Sequence, residues 1–204
     1  MLAAWALTAL AGCVDALVVA RGGALLPVYV TGDTTKLATT LAGERWLDAW
    51  PLAALVTSFL AASTLAAWLG GRARRHALPP LLLAGLLLFL GLFLANGAWP
   101  LPTILATAAA MGAVNQALRK DPGVTFVTGA LVRLARDLAA GQAVEAGKNL
   151  LRWLALLGGA AAGAACNAAL GPAALAVPAG AATLAAVAVL LWPRPAPTFA
   201  KEPA

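Results

Sequence analysis

Charge is scarce in this sequence. Only 11% of its 204 residues are Asp, Glu, Lys or Arg, while 62% are hydrophobic. A soluble domain is about a quarter charged and about half apolar, so this chain lacks the polar surface needed to stay in water. There is one His, His76, which excludes a His-rich metal site. The two Cys, Cys13 and Cys166, lie in separate apolar runs and give no disulfide framework; each reads as a small apolar residue. Aromatics are sparse, at 6%, and Trp leads them with seven against five Phe and one Tyr. Trp near the ends of apolar runs suits the membrane–water boundary. Ser–His pairs, Cys pairs at metal spacing and phosphate-cradling Gly loops are missing, so neither an enzyme nor a cofactor is expected. The net charge of +6 suggests nucleic acid, but the basic cytoplasmic loops of a membrane protein give the same excess. A nucleic-acid partner is set aside on that ground, and the lipid bilayer is the expected environment.

What the sequence does have is a stretch that occurs twice. Tyr29-Val30-Thr31-Gly32-Asp33 is matched by Phe126-Val127-Thr128-Gly129-Ala130. A base follows each Thr five residues on, Lys36 and Arg133. Leu37-Ala38 and Leu41-Ala42 are matched by Leu134-Ala135 and Leu138-Ala139. Upstream, Gly12 and Asp15 are matched by Gly112 and Asn115. This is the mark of an internal duplication.

Six apolar runs surround the two copies: 2–20, 51–69, 79–95, 103–118, 150–170 and 173–192. The first spans about 28 Å as a helix, enough to cross the hydrocarbon core. The fold expected is therefore an all-α membrane protein with six crossings. The first repeat covers 1–97, the second 98–192, and 193–204 is a Pro-rich tail expected to be disordered. In each half an extended-turn-helix unit fills a connector of roughly thirty residues: extended over 25–30, turning at Thr31-Gly32-Asp33, helical over 34–42 in the first. With six crossings, eleven of the fourteen Lys and Arg fall on one side, and three (Arg21, Lys36, Arg45) on the other. The basic side is cytoplasmic by that bias, and both termini lie there. Three crossings per half make the halves oppositely oriented, an inverted repeat of the kind common in transporters. Two rivals stand beside this. Eight crossings weaken the charge bias, and a lipobox-like Leu10-Ala11-Gly12-Cys13 lacks the basic start of a signal peptide.

The units decide what the chain can do. Re-entering the lipid, they bring Thr31-Gly32 and Thr128-Gly129 to mid-membrane with two helix N-termini facing each other, a setting for an anion or a hydrogen-bond acceptor. Lying flat, they become interfacial amphipathic helices with Lys36 and Arg133 on headgroups. Asp15 is the only acid inside a crossing, and such residues point to function or to a pairing with Lys36 or Arg21. Asn115 and Gln116 are its neutral counterparts, as solute ligands or as hydrogen-bonding glue between helices. The expected lining of a solute site is Asp15, Thr31, Gly32, Asp33, Lys36, Asn115, Gln116, Thr128, Gly129 and Arg133. The expected function is a transporter or channel for a small anion or polar solute. The alternative is a non-transporting scaffold whose basic face, Arg72 to Arg75 with Arg119-Lys120, grips anionic lipid or a partner protein. Gly158-Gly159 and Gly163 allow close packing within the monomer or in a homo-oligomer.

The motifs Gly12-x-x-Asp15-Ala16, Val30-Thr31-Gly32-Asp33, Ala110-Met111-Gly112-x-x-Asn115 and Thr125-Phe126-Val127-Thr128-Gly129 fall in one order across residues 8–192. In this the chain resembles the YoaK-like family of bacterial multi-pass membrane proteins of unknown function. It departs from that pattern at Asp33, where the family has Asn, and at Val114, where it has Gln. The resemblance implies a multi-pass protein of the inner membrane and supplies no substrate.

Overall fold

The computed structural model describes residues 1–21, 25, 28–120 and 123–192. Among them every regular element is helical: α1 (Leu2–Arg21), α2 (Val30–Ala42), α3 (Trp46–Arg72), α4 (Leu78–Leu94), α5 (Leu101–Val114), α6 (Thr128–Ala139), α7 (Ala143–Leu170) and α8 (Ala176–Leu191). A short 3-10 helix, Gly171–Leu175, joins α7 to α8; Gly171 takes the positive φ of 59° that breaks the run.

The two ends of the bundle carry different chemistry. At one, Arg21 Nε donates to Asn167 Oδ1 (2.6 Å) and Arg21 Nη1 to the Gly97 carbonyl (3.0 Å), while the Trp99 amide donates to the Arg21 carbonyl (3.1 Å). At the other, Met1, Ala3 and Ala4 share a groove with His76, Ala77, Arg119 and Lys120. There the Arg75 guanidinium also reaches the carbonyls of Val189 and Trp192. Hence α1, α4 and α7 run one way, and α3, α5 and α8 the other.

Packing is pairwise and close. α1 lies along α7, α3 along α5, and α4 against both α5 and α8; α2 rests on α3 and α6 on α7. Glycine sets the approach. A Cβ at Gly12 would collide with the Leu156 carbonyl, at Gly159 with that of Ala9, at Gly163 with that of Cys13, and at Gly112 with that of Phe59. Gly159 and Gly163 are thus spent on packing within the chain. Ser63 Oγ donates across the α3–α5 contact to the Gly112 carbonyl at 2.8 Å. In lipid no hydrophobic drive pushes helices together, so this dispersion contact and the added hydrogen bond hold the pairs.

The outside of the bundle is apolar. Leu47, Leu60, Leu86, Phe93, Leu184 and Leu191 are exposed. Leu17, Leu55, Leu88, Met111 and Leu175 fill the interior. Three helical stretches are long and apolar enough to cross a membrane: Leu2–Arg21, Trp46–Arg72 and the run Ala143–Leu191. Leu78–Leu94 and Leu101–Val114 are apolar but shorter. The chain is an all-helical membrane protein.

Several boundaries differ from those read in the sequence. The second apolar run begins at Trp46 rather than Pro51, which lies inside α3 and lacks the amide that would bond the Leu47 carbonyl. The fourth ends at Val114, because Asn115 to Leu118 turn away from the helix. α7 starts at Ala143 rather than Leu150, so Lys148 belongs to the same helix as Arg152 and not to a loop. Thr31, Gly32 and Asp33 are not a turn before a helix but its first turn: the Asp33 amide already donates to the Tyr29 carbonyl. Neither α2 nor α6 has a side-chain cap. Of the tract expected to be extended over 25–30, Val28 lies in a turn and Val30 already opens α2, while Leu26-Pro27 fall outside the described residues, as do the break at Asp121-Pro122 and the disordered tail expected at 193–204.

Gly159→Ala is expected to cost about 1–3 kcal/mol by overpacking the α1–α7 contact. Gly158→Ala, which meets open space, should change stability by less than about 0.5 kcal/mol. Unfolding in detergent measures both; equal effects would contradict the packing described.

Candidate functional site

Non-helical backbone inside the bundle needs partners for its amides. After α5, Asn115 supplies them. Its Oδ1 accepts from the Thr125 amide (3.0 Å), and its Nδ2 donates to Thr125 Oγ1 (3.0 Å) and back to the Met111 carbonyl (3.1 Å). The Val124 carbonyl next door accepts from Thr8 Oγ1 (3.2 Å) and from Arg152 Nη2 (3.1 Å). The chain entering α6 is therefore pinned from α1, α5 and α7. Asp15 does the matching work near the end of α1: its carboxyl receives the Val28 amide, just before α2. Asp15 Oδ1 is buried and has no hydrogen-bond partner among the described residues.

Between the two pinned segments lies a partly enclosed cavity of about 370 Å³. Val28, Tyr29 and Thr31 line it from the first unit, Thr125, Phe126, Val127 and Thr128 from the second. Asp15 and Leu156 complete the wall. The starts of α2 and α6 thus open onto one space. Each helix leaves first-turn amides without an intrahelical partner and carries a partial positive charge there. The lining otherwise is largely apolar, with hydroxyls from Thr31, Thr128 and Tyr29.

Of the ten residues expected at a site, Asp15, Thr31 and Thr128 line this cavity. Asp33 is fully buried, pairs with Lys36 at 3.0 Å, and lies close enough to Asp15 for the two carboxyls to interact. Lys36 pairs with Asp33, and Arg21 is engaged at the bundle end with Asn167 and Gly97. Gly32 and Gly129 follow the lining threonines in the first turns; a Cβ at Gly32 would meet open space. Asn115 stands behind the cavity wall, and Gln116 sits half-buried in the turn after α5. Arg133 is elsewhere. Its Nε donates to Asn149 Oδ1 (3.2 Å) in a separate cleft shared with Met1, Trp5, Glu145, Lys148 and Arg152. Its place on the outward side of an amphipathic α6 keeps it out of the cavity. Among the described residues no group of three His, Cys, Asp or Glu side chains converges as a metal site would require.

Sequence reasoning missed Thr8 and Arg152, which hold Val124, and Leu156, which closes the wall. Arg152 carried a signal: a cation inside an apolar run needs a buried acceptor. Tyr29 and Phe126 were visible as the aromatics that open each copy of the repeat, but not as lining residues. Leu156 carries no signal in the sequence.

A model of the family described as protein of unknown function, DUF1275, matches residues 3–189, and the chain belongs to that family. The YoaK-like resemblance agrees with it. No curated protein and no solved structure matches the chain.

The two latches should respond differently to substitution. Asn115→Ala removes the acceptor of a buried amide and is expected to cost about 1–3 kcal/mol. Asp15→Asn keeps a carbonyl oxygen for the Val28 amide and should cost less than about 1 kcal/mol, whereas Asp15→Ala should resemble Asn115→Ala. Unfolding in detergent checks all three; an Asp15→Asn loss as large as that of Asp15→Ala would contradict the latch.

Proposed function

We propose that this member of the DUF1275 family is a transporter or channel for a small anion or polar solute. One observation carries the reading: the starts of α2 and α6 and the Asp15 carboxyl line a single cavity. Half-length helices that end in the bundle with their amides around a cavity are the construction by which transporters hold a solute away from both water phases.

The architecture we infer is six crossings in two inverted halves, with α2 and α6 re-entrant. Three observations support it. Three of the helix pairings are preserved when α1–α4 are exchanged with α5–α8: α1–α7 becomes α5–α3, α2–α3 becomes α6–α7, and α4–α8 becomes itself. The glycines expected to correspond make corresponding contacts, Gly12 on Leu156 and Gly112 on Phe59. The third is the pair of latches, Asp15 with Val28 and Asn115 with Thr125. The exchange is imperfect, since α4 packs broadly on α5 while α8 only touches α1. The end bearing Arg75, Arg119 and Lys120 faces the cytoplasm of a bacterial inner membrane by the positive-inside bias, with both termini there.

A second reading keeps the chain as a scaffold. Its support is the groove of about 690 Å³ at the basic end, where His76, Arg119 and Lys120 meet Met1 and Ala4. Anionic headgroups suit that face.

Cysteine reactivity separates the two. In a background with Cys13 and Cys166 changed to Ala, Thr31→Cys and Thr128→Cys in proteoliposomes are expected to react with a charged, membrane-impermeant thiol reagent. Leu55→Cys, at a fully buried position, should not. Uptake from a mixture of radiolabelled anions and polar solutes should fall to the protein-free level in Thr128→Trp, which fills the cavity. Thr31→Cys and Thr128→Cys as inert as Leu55→Cys would leave only the scaffold.

A further inference from the structure

We propose that the cavity takes a small zwitterion, a carboxylate and an ammonium on a short apolar body such as an aliphatic amino acid. The inference rests on the reading of the cavity as a solute site and narrows its substrate class.

The duplication provides an internal control for Asp15. At the matching place Asn115 receives the Thr125 amide, and its own amide group is used within the chain on Thr125 and Met111. A neutral side chain is therefore sufficient for the latch. Asp15 adds a charge that the latch does not need, and an oxygen, Oδ1, with no partner among the described residues. The cations nearest in sequence point elsewhere: Lys36 to Asp33, Arg21 to Asn167 and Gly97. A carboxylate at this depth, with Asp33 close by, is costly, and a positively charged group arriving from outside the chain relieves it.

The opposite pole is built from the helix starts. Thr31 and Thr128 sit in the first turns of α2 and α6, no side chain caps either helix, and both residues line the cavity. Uncapped amides, the aligned dipoles and two hydroxyls favour a carboxylate there. Between the poles, Val28, Val127, Phe126 and Leu156 offer an apolar wall. A plain anion would meet the Asp15 charge, and a plain cation would meet two positive helix ends. A zwitterion satisfies both poles and carries no net charge into the lipid. The cavity, at about 370 Å³, lies near the small end of the range of about 300–1,000 Å³ for ligand pockets, which fits a solute of amino-acid size.

The test uses the purified full-length chain in neutral detergent and three isosteric probes: leucine, isocaproate, which lacks the ammonium, and isoamylamine, which lacks the carboxylate. Calorimetry and thermal unfolding are expected to show leucine binding at least about tenfold more tightly than either half-charged probe. Asp15→Asn should weaken leucine by about 10- to 100-fold and bring isocaproate up to the level of leucine. If Asp15→Asn does not fold, the wild-type ranking of the three probes decides alone. Isocaproate binding wild type as tightly as leucine would overturn the zwitterion and leave an anion site. No binding of any probe, with Thr31→Cys and Thr128→Cys still open to the thiol reagent, would overturn this substrate class but not the cavity. No binding with both cysteines closed would overturn the two together.

Discussion

A backbone amide buried away from water must be met by something, and in this chain that requirement falls on two places. Just before α2 and α6, Val28, Val124 and Thr125 are non-helical and buried, where solvent does not serve their amides. Asp15 and Asn115, each three residues after a glycine that lets its helix press against a neighbour, receive the amides of Val28 and Thr125. The tight helix contact and the amide latch are thus one local device used twice. Remove the latch and the half-helices lose their anchorage; remove the glycine and the helix that carries the latch moves away from its partner.

The device leaves a hollow. Because the helix starts are held by side chains from α1 and α5 and not by caps of their own, their first-turn amides remain available, and they open on the same space. The two copies are not equally fixed. The second is pinned through Asn115, Thr8 and Arg152, all bonded to Thr125 or Val124. For the first, the latch seen at the cavity is the bond of Val28 to Asp15. The acidic member of the pair lines the cavity, and the neutral member stands behind its wall.

Much of this was legible before any coordinates, because lipid imposes simple rules on sequence. The apolar runs marked the six apolar bundle helices, and three stretches among them are long and apolar enough to cross a membrane. The doubled Thr-Gly motif located the residues that meet at the cavity, and Asp15 stood out as an acid in an apolar run. Other features had no local signal. Whether Thr31 and Asp33 cap a helix or begin it depends on the Tyr29 carbonyl, which either choice leaves available to the sequence reader. Lys36 had two carboxylates within reach, and Asp33, one turn away on the same helix, is the nearer. Arg133 looked like a counterpart of Lys36, but the side of α6 it occupies turns to Asn149 and the cleft beside Met1. A repeat preserves spacing; it does not preserve which side chain faces inward.

If the halves are inverted, α2 and α6 leave the shared cavity toward opposite faces of the membrane, so their far ends lie in different water phases. Single cysteines at Gly43 and Gly141, in a chain with Cys13 and Cys166 replaced by Ala, can be labelled with an impermeant reagent from one face of oriented vesicles. The account predicts that one position reacts from the outer face only and the other from the inner face only. Labelling of both from the same face would contradict it.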